Sequence, residues 1–244
     1  MIKFIVPNGS FCELKKVVRV SLVILCLMLT SFNYGQKDRE SIVGSWVVIS
    51  GNNKISNRLS IPTVGILRHY KMFENYEFSF FRTGLTYKVN NNFYVSGGAA
   101  YLDSDPYVES ATAMPNRQIW IYEEVTYLSK IKKVSISNRV RLESRWISNS
   151  ENIYVNDRIR YRLQGKFPLT ENFYLKSYNE IFINLKSPYF NQNRFFCGLG
   201  YRFSKNLLLD IGYLNNHFDS GNYDRLRMAV YFKTDFTKKK LSRK

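Results

Sequence analysis

The stretch VSISNRVRLESRWI, residues 134–147, restricts the chain to few folds. A strand sends alternate side chains to opposite faces. Val134, Ile136, Asn138, Val140, Leu142, Ser144 and Trp146 then share one face, and Ser135, Ser137, Arg139, Arg141, Glu143 and Arg145 share the other. A soluble sandwich can bury the apolar face and leave the arginines in water. A bilayer-spanning barrel fits as well, because its strands need about 9–11 residues, apolar towards lipid and polar towards the lumen.

The same alternation recurs down the chain. Ile159, Tyr161, Leu163, Gly165 and Phe167 oppose Arg158, Arg160, Arg162, Gln164 and Lys166. Leu226, Met228, Val230, Phe232 and Phe236 oppose Arg227, Ala229, Tyr231, Lys233 and Asp235. Period-two segments predict ten long strands between residues 58 and 236, preceded by a short one at 45–50. Connections at 90–92, 129–133, 168–172 and 204–206 read as short. Those at 104–116, 148–156, 186–193 and 218–223 read as longer. Short turns at one rim and longer loops at the other suit an outer-membrane barrel, with the short turns in the periplasm. The ten long strands place both ends of the ring at one rim, and segment 45–50 disturbs that parity. The expected fold is therefore all-β: an antiparallel up-and-down transmembrane β-barrel of about 10–12 strands. Phe and Tyr, eighteen of each, support this, since aromatic side chains suit a pleated surface.

The amino-terminal region predicts export. Lys15, Lys16 and Arg19 precede the apolar run VSLVILCLML. That run is too short to anchor in a bilayer, which takes about 20 residues, and it matches a secretory signal peptide. The domain organisation expected is a signal peptide at 1–36, a barrel at 37–236 and a basic tail at 237–244. Leu25 before Cys26 argues against a lipid-modified cysteine. Of Cys12, Cys26 and Cys197, only Cys197 lies beyond the signal, so no disulfide framework or cysteine metal site is expected. The net charge of +17 is spread along the chain at alternating positions rather than gathered in a block, and nucleic acid is not an expected partner.

The charged face is the distinctive constellation. Arg139, Arg141, Glu143, Arg145, Arg158, Arg160, Arg162, Lys166 and Glu180 are expected to meet inside the barrel, with Asp210 on a later strand. Buried charges must be paired or wet, and barrels near eight strands are filled by side chains. A charged network filling the lumen is therefore expected, with a structural or narrow-channel role. A path for small anions is the alternative use of the same face. A lipid-modifying hydrolase is a further alternative, on His217 near Asp219 and Ser220, but three such residues in one turn-forming loop poorly suit an oriented triad. Asp103, Asp105 and Glu109 lack the glycine and ligand series of a calcium loop. SGG and GLG precede no helix and read as close packing within strands. No catalytic, metal or cofactor site is expected. The expected surroundings are outer-membrane lipids, with the barrel-assembly machinery acting during biogenesis.

The segments GSWVVIS, FFRTGLTYKVNNNFYVSGG, NRVRLESRWI, NDRIRYRLQGKF, FYLKSYNEIFINL and NRFFCGLGYRFSKNLLLDIGYL, in this order and spacing, resemble the outer-membrane β-barrel proteins of Gram-negative bacteria grouped as domain of unknown function 2490. The resemblance covers most of residues 45–236. It implies a location and a fold, and it carries no catalytic residues across. The basic tail TKKKLSRK after Phe236 departs from barrels that stop at the aromatic residue.

Overall fold

The computed structural model describes residues 42–105, 116–148 and 152–237. The expected signal peptide and the last residues of the expected tail lie outside these. Eleven strands form one closed barrel: β1 (Gly44–Lys54), β2 (Leu59–Lys71), β3 (Glu74–Lys88), β4 (Phe93–Ser104), β5 (Asn116–Ile131), β6 (Val134–Ser148), β7 (Ile153–Pro168), β8 (Phe173–Asn184), β9 (Phe190–Arg202), β10 (Leu207–Phe218) and β11 (Gly221–Asp235). Each strand pairs antiparallel with its chain neighbours. At the seam β1 runs parallel to β11, from Gly44 opposite Arg225 to Lys54 opposite Asp235. Closure leaves no strand edge unpaired.

The first strand is eleven residues long rather than the short 45–50 segment expected. Its second half, Gly51-Asn-Asn-Lys54, has turn-forming composition, yet β2 and β11 pair it on both sides. Asn53 pins the seam: its Nδ2 donates to the Ile61 carbonyl at 2.9 Å, and its Oδ1 accepts from Thr234 at 2.7 Å. Eleven strands with a parallel seam put Gly44 and Asp235 at opposite rims, so the two ends of the ring do not share one rim as ten strands required.

Loop lengths are also less sorted than the sequence suggested, because the strands extend into the apparent loops. The rim reached by the carboxyl ends of the odd strands has turns at 55–58, 89–92, 132–133, 169–172 and 203–206. The other rim has 72–73, 149–152, 185–189, 219–220 and one long connection, 105–115. The turn at 72–73 holds Phe73 at a φ of 60°, a conformation glycine or asparagine would signal, and neither stands there.

Alternation survives as an inside and an outside. On β6, residues 137, 139, 141, 143, 145 and 147 are buried, while Val140, Leu142 and Trp146 are exposed. Inward glycines make room for rings. A Cβ on Gly84 would fall 2.7 Å from the Tyr122 hydroxyl, and one on Gly200 would fall 2.1 Å from the Tyr174 ring. The SGG and GLG segments are thus places of close packing.

The seam yields a direct expectation. Val47 stands opposite Met228. The variant Val47→Cys/Met228→Cys, in a Cys197→Ala background, should form a disulfide that shifts mobility on a non-reducing gel. A barrel closed by ten strands, with the first segment loosely attached, would leave both thiols free.

Candidate functional site

The inward face of β5 to β8 carries a closed cycle of ion pairs. Glu124 on β5 accepts from Arg141 Nε at 2.7 Å. Arg141 also reaches Glu143 at 3.4 Å. Glu143 accepts from Arg160 at 2.6 Å, and Arg160 reaches Glu180 at 2.8 Å. Arg139 pairs with Glu180 and, at 3.6 Å, with Glu124, which closes the loop. Three further arginines attach outside the cycle: Arg82 to Glu124 at 3.6 Å, Arg158 to Glu143 at 3.0 Å and Arg194 to Glu180 at 3.8 Å.

Register produces this arrangement. Glu124 pairs with Arg141, which pairs with Arg160 on the next strand. Glu143 stands opposite Arg158, and Arg162 stands opposite Glu180. A one-residue slip would send the whole set to the outer face. Glu143 and Glu180 are each 2 % exposed, so their charges depend on these arginines rather than on water. Aromatic rings complete the packing: Arg160 lies 4.2 Å from the Phe182 ring centre and Arg158 5.3 Å from that of Trp120.

Two smaller clusters sit apart. Glu77 pairs with Arg68 and, at 3.1 Å, with Arg225; the Arg68 guanidinium lies 4.6 Å from the Trp46 ring and 4.1 Å from the Phe78 ring. Buried Asp210 accepts from the Tyr174 hydroxyl and from Lys176 Nζ at 2.6 Å.

Of the residues singled out in the sequence, Arg139, Arg141, Glu143, Arg158, Arg160 and Glu180 meet in the cycle and its attachments. Arg145, Arg162 and Lys166 face inward without an ion pair among the described residues. Arg145 bonds instead to Asn156 at 2.5 Å, and Lys166 Nζ lies 3.4 Å from the Tyr174 ring centre. Sequence reasoning missed Glu124, Arg82 and Arg194. Parity could have found Glu124: if Ile119, Ile121 and Val125 face out, one glutamate of Tyr122-Glu-Glu-Val125 must face in.

The lumen is not filled throughout. A cavity of ≈ 860 Å³ remains, and its lining reaches Tyr70 and Phe218 near one rim and Leu208 and Lys233 near the other. The cycle itself lines this space, through Glu124, Arg139, Arg141, Arg160 and Glu180. His217 Nδ1 is bonded to Asn222 Oδ1 at 2.8 Å rather than to Asp219 or Ser220. Among the described residues no three His, Cys, Asp or Glu side chains gather as metal ligands; Glu109 lies outside them.

The cycle predicts an asymmetry. Glu143→Gln leaves three arginines poorly compensated and should lower the thermal midpoint, with a cost of about 3–5 kcal/mol, the usual range for breaking a buried pair. Arg145→Gln removes no ion pair, only its hydrogen bonds to Asn156 and Asn184, and should cost less, about 1.5–3 kcal/mol. Unfolding of the detergent-folded barrel measures both.

No curated protein matches the chain significantly. A family model described as "Protein of unknown function (DUF2490)" matches residues 43–227, from the start of β1 into β11. With inward arginines and outward apolar residues set in one closed sheet across that span, the chain belongs to the DUF2490 family.

Proposed function

We propose that the chain is an integral β-barrel of the bacterial outer membrane, reached through an amino-terminal signal peptide, and that it acts as a structural element rather than an enzyme. The observation that carries this reading is the outer surface. Ile49, Leu67, Phe81, Ile119, Ile121, Leu142, Leu163, Leu199 and Ile211 are all 40 % or more exposed, on nine positions drawn from eight strands. Water penalises such a continuous apolar belt, whereas hydrocarbon does not. Exposed aromatics flank it: Tyr87, Tyr127, Phe167, Phe173 and Phe203 towards the short-turn rim, and Tyr101, Trp146, Tyr154 and Tyr213 towards the other. That is the disposition of interfacial girdles. By the same rule the rim of turns 55–58, 89–92, 132–133, 169–172 and 203–206 faces the periplasm and the opposite rim the exterior.

In this reading the arginine–glutamate cycle braces the wall from within. A second reading, a path for small anions, is favoured by one observation. The cavity is lined by thirteen lysines and arginines against four carboxylates, and its lining reaches both rims. A planar bilayer separates the two: the braced barrel should conduct near background, whereas an open path should conduct with anion preference.

Detergent-folded protein should migrate differently on a gel before and after boiling; release from membranes by carbonate alone would contradict the proposal. Glu123 sharpens the test. It is exposed on the outer face at mid-strand on β5, opposite Gly97 and Leu142. A charge on a lipid-facing position is destabilising. Glu123→Leu should therefore raise the unfolding midpoint in lipid vesicles. No change, or a fall, would mean that water covers this face.

A further inference from the structure

Cations and carboxylates are unevenly distributed along the lumen. The three glutamates of the cycle lie on β5, β6 and β8, and both oxygens of Glu180 are occupied, one by Arg139 and Arg160, the other by Arg194. Arg162, although opposite Glu180 in register, therefore has no ion pair among the described residues, and its Nε has no hydrogen-bond partner. It lies against the Tyr178 ring, 5.6 Å from its centre. Tyr178 stacks on Phe196 with ring centres 5.2 Å apart. Arg227 lies against the far member of that pair, 4.8 Å from the Phe196 ring centre.

Arg227 is the decisive residue. It is 7 % exposed, it makes no ion pair among the described residues, and its Nη1 has no hydrogen-bond partner while Nη2 donates to the Tyr231 hydroxyl at 2.8 Å. The carboxylate packed into this half, Asp210, is taken by Tyr174 and Lys176. Arg162, Arg227, Lys166 and Lys233 all line the one cavity, and Lys233 is exposed, so this half is wet.

We infer that this half of the lumen, next to the short-turn rim, is a binding site for a small multivalent oxyanion, held by the guanidinium of Arg227 together with the other unpaired cations that line the same cavity, Arg162 and Lys166. A guanidinium cannot shed its charge, and a buried one without a carboxylate demands another anion. Its planar fork suits the oxygens of phosphate or carboxylate groups better than a spherical halide. Arg162, Arg227 and Lys166 line one cavity without an ion pair among the described residues, and balancing them calls for more than one negative charge. The inference draws on the cation excess noted above but does not need ions to cross the barrel.

Inorganic pyrophosphate is the probe, with chloride at matched ionic strength as control, on the mature barrel folded in detergent. Calorimetry should show saturable binding, and the thermal midpoint should rise with pyrophosphate, since a ligand of the folded state stabilises it. Arg162→Gln/Arg227→Gln should weaken binding at least about tenfold, the loss expected from removing one charge-assisted contact of about 1.4 kcal/mol. Without ligand the same variant should melt at or above the unmodified barrel, because it sheds two uncompensated cations. Absence of saturable binding to the unmodified barrel overturns the inference, and so does unchanged affinity in the variant. If the double variant does not fold, Lys166→Gln replaces it: several-fold weaker binding supports the site, and unchanged binding overturns it. Because binding is read without a bilayer, its failure is distinct from failure of the membrane proposal.

Discussion

An arginine inside a closed barrel sets the terms for everything around it. The guanidinium stays charged at any pH the protein meets, so it must find carboxylates, rings or water. Here Glu124, Glu143 and Glu180 are each shared among three arginines, and Arg139, Arg141 and Arg160 each span two glutamates. Shared partners make the cycle a unit: losing one member changes the surroundings of the rest. The unit ties β5, β6, β7 and β8 together across their inner face, in addition to the backbone ladder. Replacing such groups by a well-packed apolar set can be neutral for stability. What the cycle fixes is register, because a slip of one residue would carry every arginine to the apolar outer face.

The outer face and the seam follow from the same alternation. Once one parity is committed to the charged interior, the other supplies the apolar belt, and the sheet must close to hide its edges. Closure with eleven strands requires one parallel pair, which β1 and β11 provide. Tyr122 and Tyr174 fold over inward glycines, so the barrel packs rings where the backbone has no side chain to offer. The cavity runs along the cycle, whose Glu124, Arg141, Arg160 and Glu180 line it.

The fold was legible to the extent that strands alternate cleanly. Segments around Arg139 and Arg160 announced their two faces without ambiguity, and those two residues and Glu143 do meet. Legibility failed where composition and pairing disagree. Asn52 and Asn53 look like turn residues but lie in a strand, because partners on both sides satisfy their backbone and Asn53 bonds sideways to Ile61 and Thr234. Phe73 sits in a two-residue turn that no glycine marks. Glu124 was passed over because the adjacent Glu123 blurs the alternation, and only the parity of the flanking isoleucines separates the two. Glu77 and Arg68 face each other across the β2–β3 hairpin, but Arg225 comes from the far end of the chain and meets them only through closure at the seam.

The central claim is that the glutamates and arginines act together rather than as independent pairs. A double-mutant cycle on Glu143 and Arg160, read by unfolding of the detergent-folded barrel, tests it most directly. The two side chains meet at 2.6 Å, and each holds a second partner in the network. The account predicts a coupling energy towards the upper part of the about 0.5–3 kcal/mol range found for contacting residues. It also predicts that the coupling shrinks when Glu180 is already replaced by glutamine. Costs that simply add, within about 0.3–0.5 kcal/mol as for distant independent sites, would contradict it.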